Sequence, residues 1–254
     1  MNVHITELLT FRDPVAAWTH FAGFLWALLA FAILWRLCAG DRVRQISVAL
    51  FTGSMALLYL ASGTYHALRL PPEQLAFFRM LDHTAIYCLI AGTYTPIFVV
   101  YLEGRFRTVF LAAIWVVAVV GSVIKWTLPI SYYPLTVAIY LGVGAFGLIP
   151  APVIVRKTGW GGAFWGLLGA GLHGLGGILD AFGWPTLAVG RFGSHELFHV
   201  LVLLGTASHF VFMVLYVVPK TRTAPASVGP RPRLHKAPTG PISHPVSDRQ
   251  EVGV

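Results

Sequence analysis

Ser194-His195-Glu196-Leu197-Phe198-His199 runs directly into Val200-Leu201-Val202-Leu203-Leu204-Gly205, and how that junction is read decides the fold. Side chains four residues apart lie one turn apart on the same helical face, so the two imidazoles can meet one metal ion. The uncharged run behind them reads as the inside of a bilayer. A membrane-spanning helix needs about 20 mostly apolar residues, and residues 196–218 supply them.

Applied along the whole chain, the same rule finds seven segments: 15–37, 46–68, 79–101, 107–126, 133–154, 160–180 and 196–218. The composition agrees: of 254 residues, 56% are hydrophobic and 11% charged, against about 25% charged in an ordinary soluble domain. The expectation is an all-α integral membrane protein, a seven-transmembrane helix bundle over residues 15–218, preceded by a short N-terminal segment, 1–14. That segment lacks the basic, apolar, small-residue order of a cleaved signal peptide. The last 36 residues, 219–254, hold seven prolines and six Lys or Arg without apolar periodicity, and read as a disordered tail that cannot bury a core. Pro71-Pro72 breaks the chain between the second and third segments, because proline removes a helical donor. Glycines crowd the sixth segment (Gly162, Gly166, Gly169 and Gly176 among them) and mark it as a packing helix. Cys38 and Cys88 both lie in apolar segments, where a free thiol behaves as a small hydrophobe, so no disulfide framework is expected.

The net charge of +8 sits in short loops and in the tail. These charges read as topology signals and contacts to membrane lipids, not as a nucleic-acid face. On the N-terminal face lie Arg12, Arg69, Arg79, Lys125 and Arg191. On the other lie Arg36, Arg42, Arg44, Arg105, Arg107, Arg156 and Lys157, together with six in the tail. The positive-inside rule then predicts a multi-pass plasma (inner) membrane protein with its N-terminus outside and its C-terminus cytoplasmic.

Alternation of the spans assigns each polar residue to a face. His195 and His199 open the seventh span on the N-terminal face, where the second span ends in Ala61-Ser62-Gly63-Thr64-Tyr65-His66 and the third begins with Asp82 and His83. Up-and-down topology thus gathers His66, His195, His199, Asp82 and Ser62 at one membrane face. Three imidazoles with one open position are a common catalytic zinc arrangement. Asp82 can orient a water there or exchange its proton, and Ser62 can hydrogen-bond the water or an acyl oxygen. A carboxylate near mid-membrane costs about 2.5–3.5 kcal/mol, so Asp82 needs a partner, either the metal's water or a hydroxyl such as Tyr87 or Thr93. Single intramembrane histidines more often donate hydrogen bonds between helices. His173 and His209 are read that way, and His20 as a structural bond near the N-terminal face. His83 adjoins Asp82, but successive helical residues point in different directions.

His195-Glu196-Leu197-Phe198-His199 also satisfies H-E-x-x-H, in which the glutamate is the general base of a metalloprotease. That motif takes its third ligand downstream, and the last span offers only His209. The protease reading is therefore secondary.

Together with the seven spans, Ser62-x-x-x-His66, Leu81-Asp82-His83-Thr84-Ala85-Ile86-Tyr87 through Ala91-Gly92-Thr93-Tyr94-Thr95-Pro96, and His195-Glu196-Leu197-Phe198-His199 resemble the hemolysin III proteins, bacterial members of the progestin and adiponectin receptor superfamily. The resemblance runs from about Thr19 to Phe210 and includes Thr19-His20-x-x-Gly23. An acidic residue and an asparagine commonly precede that element; Asp13 and Ala17 stand here instead. The resemblance implies a zinc ion held by His66, His195 and His199, with Asp82 near the zinc-bound water and Ser62 close by. It further implies a hydrolase of a lipid amide or ester, ceramidase-like in character. Receptor members are placed with the N-terminus in the cytoplasm, opposite to the charge count. The second expectation is a non-enzymatic cytolysin or receptor-like membrane sensor, in which zinc only staples helices together.

Overall fold

The computed structural model describes residues 11–128, 133–189 and 192–219. Residues 1–10, and the tail read from the sequence apart from Pro219, lie outside them. Among the described residues seven α-helices follow one another: α1 Pro14–Leu37, α2 Arg42–Ala67, α3 Pro72–Tyr101, α4 Gly104–Thr127, α5 Tyr133–Ala145, α6 Ala151–Ala181 and α7 Ser194–Phe212. A 3-10 turn, Phe146–Leu148, extends α5, and a π-helical turn, Met213–Val217, extends α7. No strand occurs among the described residues.

Local chemistry sets the boundaries. Asp41 caps α2 by accepting from the Arg44 amide at 3.1 Å and from Arg44 Nε at 2.9 Å, which satisfies a donor that a helix start leaves free. The third helix begins at Pro72, two turns earlier than the apolar run from residue 79 indicates. Proline suits the first helical position because its missing amide would have no partner there.

The fifth span departs furthest from expectation. Its regular helix ends at Ala145, and the chain turns at Pro150 before α6 starts at Ala151. The segment read as 133–154 is therefore the shorter apolar element Tyr133–Leu148. At 1.5 Å per residue this spans roughly 24 Å, less than the hydrocarbon core. Residues 151–158 form the first part of a kinked α6, and Gly159, at φ 69°, makes the kink. This is left-handed backbone that a side chain would strain.

The other six helices are long and apolar enough to cross a membrane. Their outer faces carry Leu25, Val119 and Leu167, each more than half exposed, which a bilayer would cover. Their inner faces bury Leu34, Phe51, Tyr59 and Phe98 completely. Tyr59 Oη meets Thr206 Oγ1 at 2.5 Å and ties α2 to α7. α1 packs on both α2 and α7 and closes the bundle on one side. The glycine-rich α6 lies along α7, as a packing helix should. Contacts of α5 with α3 and α6 are sparse, and a cavity of about 1170 Å³ opens inside the bundle.

Candidate metal centre

The last turn of α2 and the first turns of α7 meet at one end of this cavity. The helix start at α7 is fixed by Glu196, whose carboxylate accepts from the Gly193 amide at 2.8 Å, half of a capping box. Four-residue spacing then turns His195 and His199 to one side. His66, from α2, faces them. His195 Nε2 lies 3.2 Å from His66 Nε2 and 3.2 Å from His199 Nε2. One ligand nitrogen from each ring falls within 4.8 Å of the other two, a group able to hold a metal ion. His66 and His199 are buried, and His195 is half-buried.

What stands behind the rings sharpens this. His66 Nδ1 meets Asp13 Oδ2 at 2.9 Å. His195 Nδ1 meets both oxygens of Asp180, each at 3.2 Å. An ionised carboxylate only accepts, so a neutral imidazole in either place carries its proton on Nδ1 and turns a lone pair out at Nε2. Two such lone pairs face each other at the His66–His195 contact, and no placement of protons on neutral rings relieves it. A shared cation does. Outer carboxylates that hold a ligand's tautomer in this way recur behind metal-binding histidines. His199 differs, since its Nδ1 is buried without a hydrogen-bond partner.

The strap that carries Asp13 is held to the end of α2. The Asp13 amide bonds His66 O at 3.0 Å, and Arg69 Nη2 bonds Phe11 O at 3.0 Å. Burial pushes the Asp13 carboxyl up, but hydrogen bonds from His66 and Arg12, with the Arg12 charge, outweigh it and hold the group below its ordinary value. Asp180 ends α6 with its side chain 7% exposed and also accepts from Tyr133 Oη.

Asp82 and Ser62 line the same cavity as the three imidazoles. Asp82 is buried, close to Ser62 and within electrostatic reach of His195. Ser62 is thus the hydroxyl that stands beside it. Thr93 is turned to Leu89 O at 2.7 Å, and Tyr87 packs edge-on against Tyr140.

The remaining histidines separate from the group. His20 stacks on His199 with ring centroids 3.8 Å apart, and neither of its nitrogens is hydrogen-bonded; it is a wall of the site through its ring and not through a hydrogen bond. His209 Nε2 donates across to Gly166 O at 3.3 Å. His173 Nδ1 donates to Gly169 O at 2.7 Å within its own helix, so only one of the two joins helices. This arrangement disfavours a metalloprotease, because Glu196 is engaged at its own helix start and the third imidazole comes from upstream, in α2. Asp180 escaped the sequence reading as a charge at the end of an apolar span. Its signal was there: it sits on the same face, and within chain reach of His195.

The family described as "Haemolysin-III related" matches residues 10–210. Hemolysin-3 of Bacillus cereus is 32% identical over 224 residues, covering 86% of this chain and 99% of that protein. The Hemolysin-3 homolog of Bacillus subtilis (strain 168) is 30% identical over 220 residues, 83% and 97% of the two chains. Heptahelical transmembrane protein 4 of Arabidopsis thaliana is more distant, at 28% over 189 residues, which is 66% of this chain and 48% of that one.

Proposed function

The chain belongs to the haemolysin-III-related family, and on that footing we propose that it is a zinc-dependent membrane hydrolase acting on an amide or ester bond of a lipid. The observation that carries this reading is the convergence of three imidazole Nε2 atoms beside a buried aspartate, at one end of a large apolar cavity. Ligand nitrogens about 2.05 Å from a tetrahedral zinc stand roughly 3.3 Å from one another, which matches the 3.2 Å contacts of His195 with His66 and His199. His66, His195 and His199 would hold the ion, with Asp13 and Asp180 fixing two of the rings. Bound there, zinc supplies a Lewis acid that polarises a carbonyl and lowers the pKa of a water.

The chain's own residues supply the rest. The acyl chain lies along Ile86, Ile90, Ile97 and Val137, which line the cavity. Asp82 takes a proton from the attacking water as its oxygen bonds the acyl carbon. It returns that proton to the leaving nitrogen or oxygen when the old bond breaks. Ser62 holds the Asp82 carboxyl in place. A purely structural zinc is coordinatively closed by four protein ligands, whereas the converging group among the described residues has three.

Asp82→Ala separates the roles. The variant is expected to keep its zinc and to lose turnover of a fluorogenic lipid ester or amide by about 10²–10⁴-fold. Undiminished turnover with zinc in place would remove Asp82 from the chemistry.

A further inference from the structure

One wall of the cavity gathers two cations that make no ion pair among the described residues. Lys125, in the last turn of α4, is 9% exposed, and its Nζ reaches only the Thr136 hydroxyl, at 3.4 Å. Arg79, from α3, lines the same cavity close enough for the two cations to repel. His83, from the next turn of α3, lies within reach of both and has a buried Nδ1 without a hydrogen-bond partner. Neither cation makes an ion pair among the described residues. Elsewhere Arg12 pairs with Asp13, Arg44 with Asp41 and Lys157 with Glu103. Of the carboxylates that line the cavity, Asp180 is engaged with His195 and Tyr133, Asp13 with His66 and Glu196 with the Gly193 amide, while Asp82 stands beside Ser62.

A lysine at the end of a membrane helix ordinarily stretches its amine to the water. Lys125 turns inward instead, beside a like charge, and a buried cation is costly unless an anion meets it. The position is informative. Residues 82 and 83 point in different directions on α3; Asp82 lies beside Ser62 and within reach of His195, while His83 lies between the two cations and the imidazoles, within reach of both. Both sets lie at the same end of the bundle, the end at which a lipid's polar part would sit.

We propose that Lys125, Arg79 and His83 Nδ1 form an anion subsite for the phosphate of a lipid headgroup, so that the lipid taken by the neighbouring centre is phosphate-bearing. The identification of that lipid as substrate rests on the hydrolase reading; the subsite itself does not. A phosphate offers several acceptor oxygens to these donors, and charge-assisted bonds of this kind are about twice as strong as neutral ones. The cavity then sorts its ligand by parts: phosphate on Lys125 and Arg79, acyl carbonyl toward the three imidazoles, hydrocarbon down the Ile86 and Ile97 wall.

The test uses full-length, zinc-loaded protein in maltoside micelles, titrated with dioctanoyl phosphatidate and with dioctanoylglycerol and followed by tryptophan fluorescence. Trp126 adjoins Lys125 and donates to Thr84 Oγ1 at 2.8 Å, so occupation of the subsite should perturb it. The phosphatidate is expected to bind at least about tenfold more tightly, and Lys125→Met and Arg79→Gln are each expected to shrink that preference to about twofold. Arg79 is exposed, so its variant decides the matter should Lys125→Met fail to fold. Equal binding of the two lipids, or a preference that survives both substitutions, overturns the subsite. Displacement of the phosphatidate by equimolar inorganic phosphate overturns the lipid as the source. Preference present and lost in the variants, with neither lipid hydrolysed, upholds the subsite and overturns the hydrolase reading instead.

Discussion

Two places in this bundle bring histidines of different helices together inside the membrane, and they are built on opposite plans. At one end, His66 and His195 each turn Nδ1 to a carboxylate and point Nε2 inward, 3.2 Å apart. Deeper in, His173 and His209 lie nearly parallel, 12° apart with centroids at 5.5 Å. Each gives one nitrogen to a glycine carbonyl, and neither has a carboxylate behind it among the described residues. The first pair has its lone pairs aimed at a common point; the second has its ring faces aimed at each other. What distinguishes His66 and His195 from His173 and His209 is the carboxylate on the far side of the ring, because that acceptor sets which nitrogen is free.

The strongest way to break this contrast is to remove the rings. His195→Ala/His199→Ala leaves one imidazole of three, and the purified protein should fall from about one zinc per chain to none by elemental analysis. His173→Ala/His209→Ala should leave the content at about one. Zinc lost equally from both variants would mean that the two places do not differ in the way their hydrogen bonds indicate.

The sequence announces the first place and not what supports it. Spacing alone put His195 and His199 on one face, and alternation of spans brought His66, Asp82 and Ser62 to the same end, where the structure also has them. Both inferences need only local periodicity and the length of a bilayer crossing. Asp13 and Asp180 were harder to place, because each stands at a helix end, where a charge ordinarily marks the edge of the membrane. Knowing that they turn inward requires the path of the loop before α7 and of the strap before α1. The break at Pro150 was hidden for a related reason. Apolar residues continue through it, so hydropathy runs on past the point where the hydrogen-bond ladder stops. The inward turn of Lys125 is a tertiary fact of the same kind.

A smaller change sharpens the contrast by touching only the outer acceptor. Asp180→Asn keeps the size of the side chain but lets an amide nitrogen face His195 Nδ1, so the ring is no longer held in one tautomer. Zinc affinity, measured by competition with a chromophoric chelator, should weaken by about 10–100-fold while the site still fills at saturating metal. Unchanged affinity would mean that the Asp180 contact is structural and that His195 is oriented by packing alone.

The smallest effect belongs to the second place. Its two rings fit because glycines stand opposite them. A methyl at Gly169 would lie 2.4 Å from His209 Nε2, and one at Gly205 would lie 2.4 Å from His173 Nδ1 and 3.1 Å from Gly169 O. His209 can relieve the first clash by giving up its bond to Gly166 O, whereas the second also presses on backbone. Gly169→Ala should therefore cost about 1–3 kcal/mol and Gly205→Ala more, seen as lowered midpoints of thermal unfolding in detergent at a fixed scan rate. Zinc content should stay at about one per chain in both. Because the cost comes from the ring that fills each notch, His209→Ala made in the Gly169→Ala background should recover part of the midpoint. A packing pair must behave in this way, and a second ligand pair would not: there, trimming the ring would remove metal along with the strain.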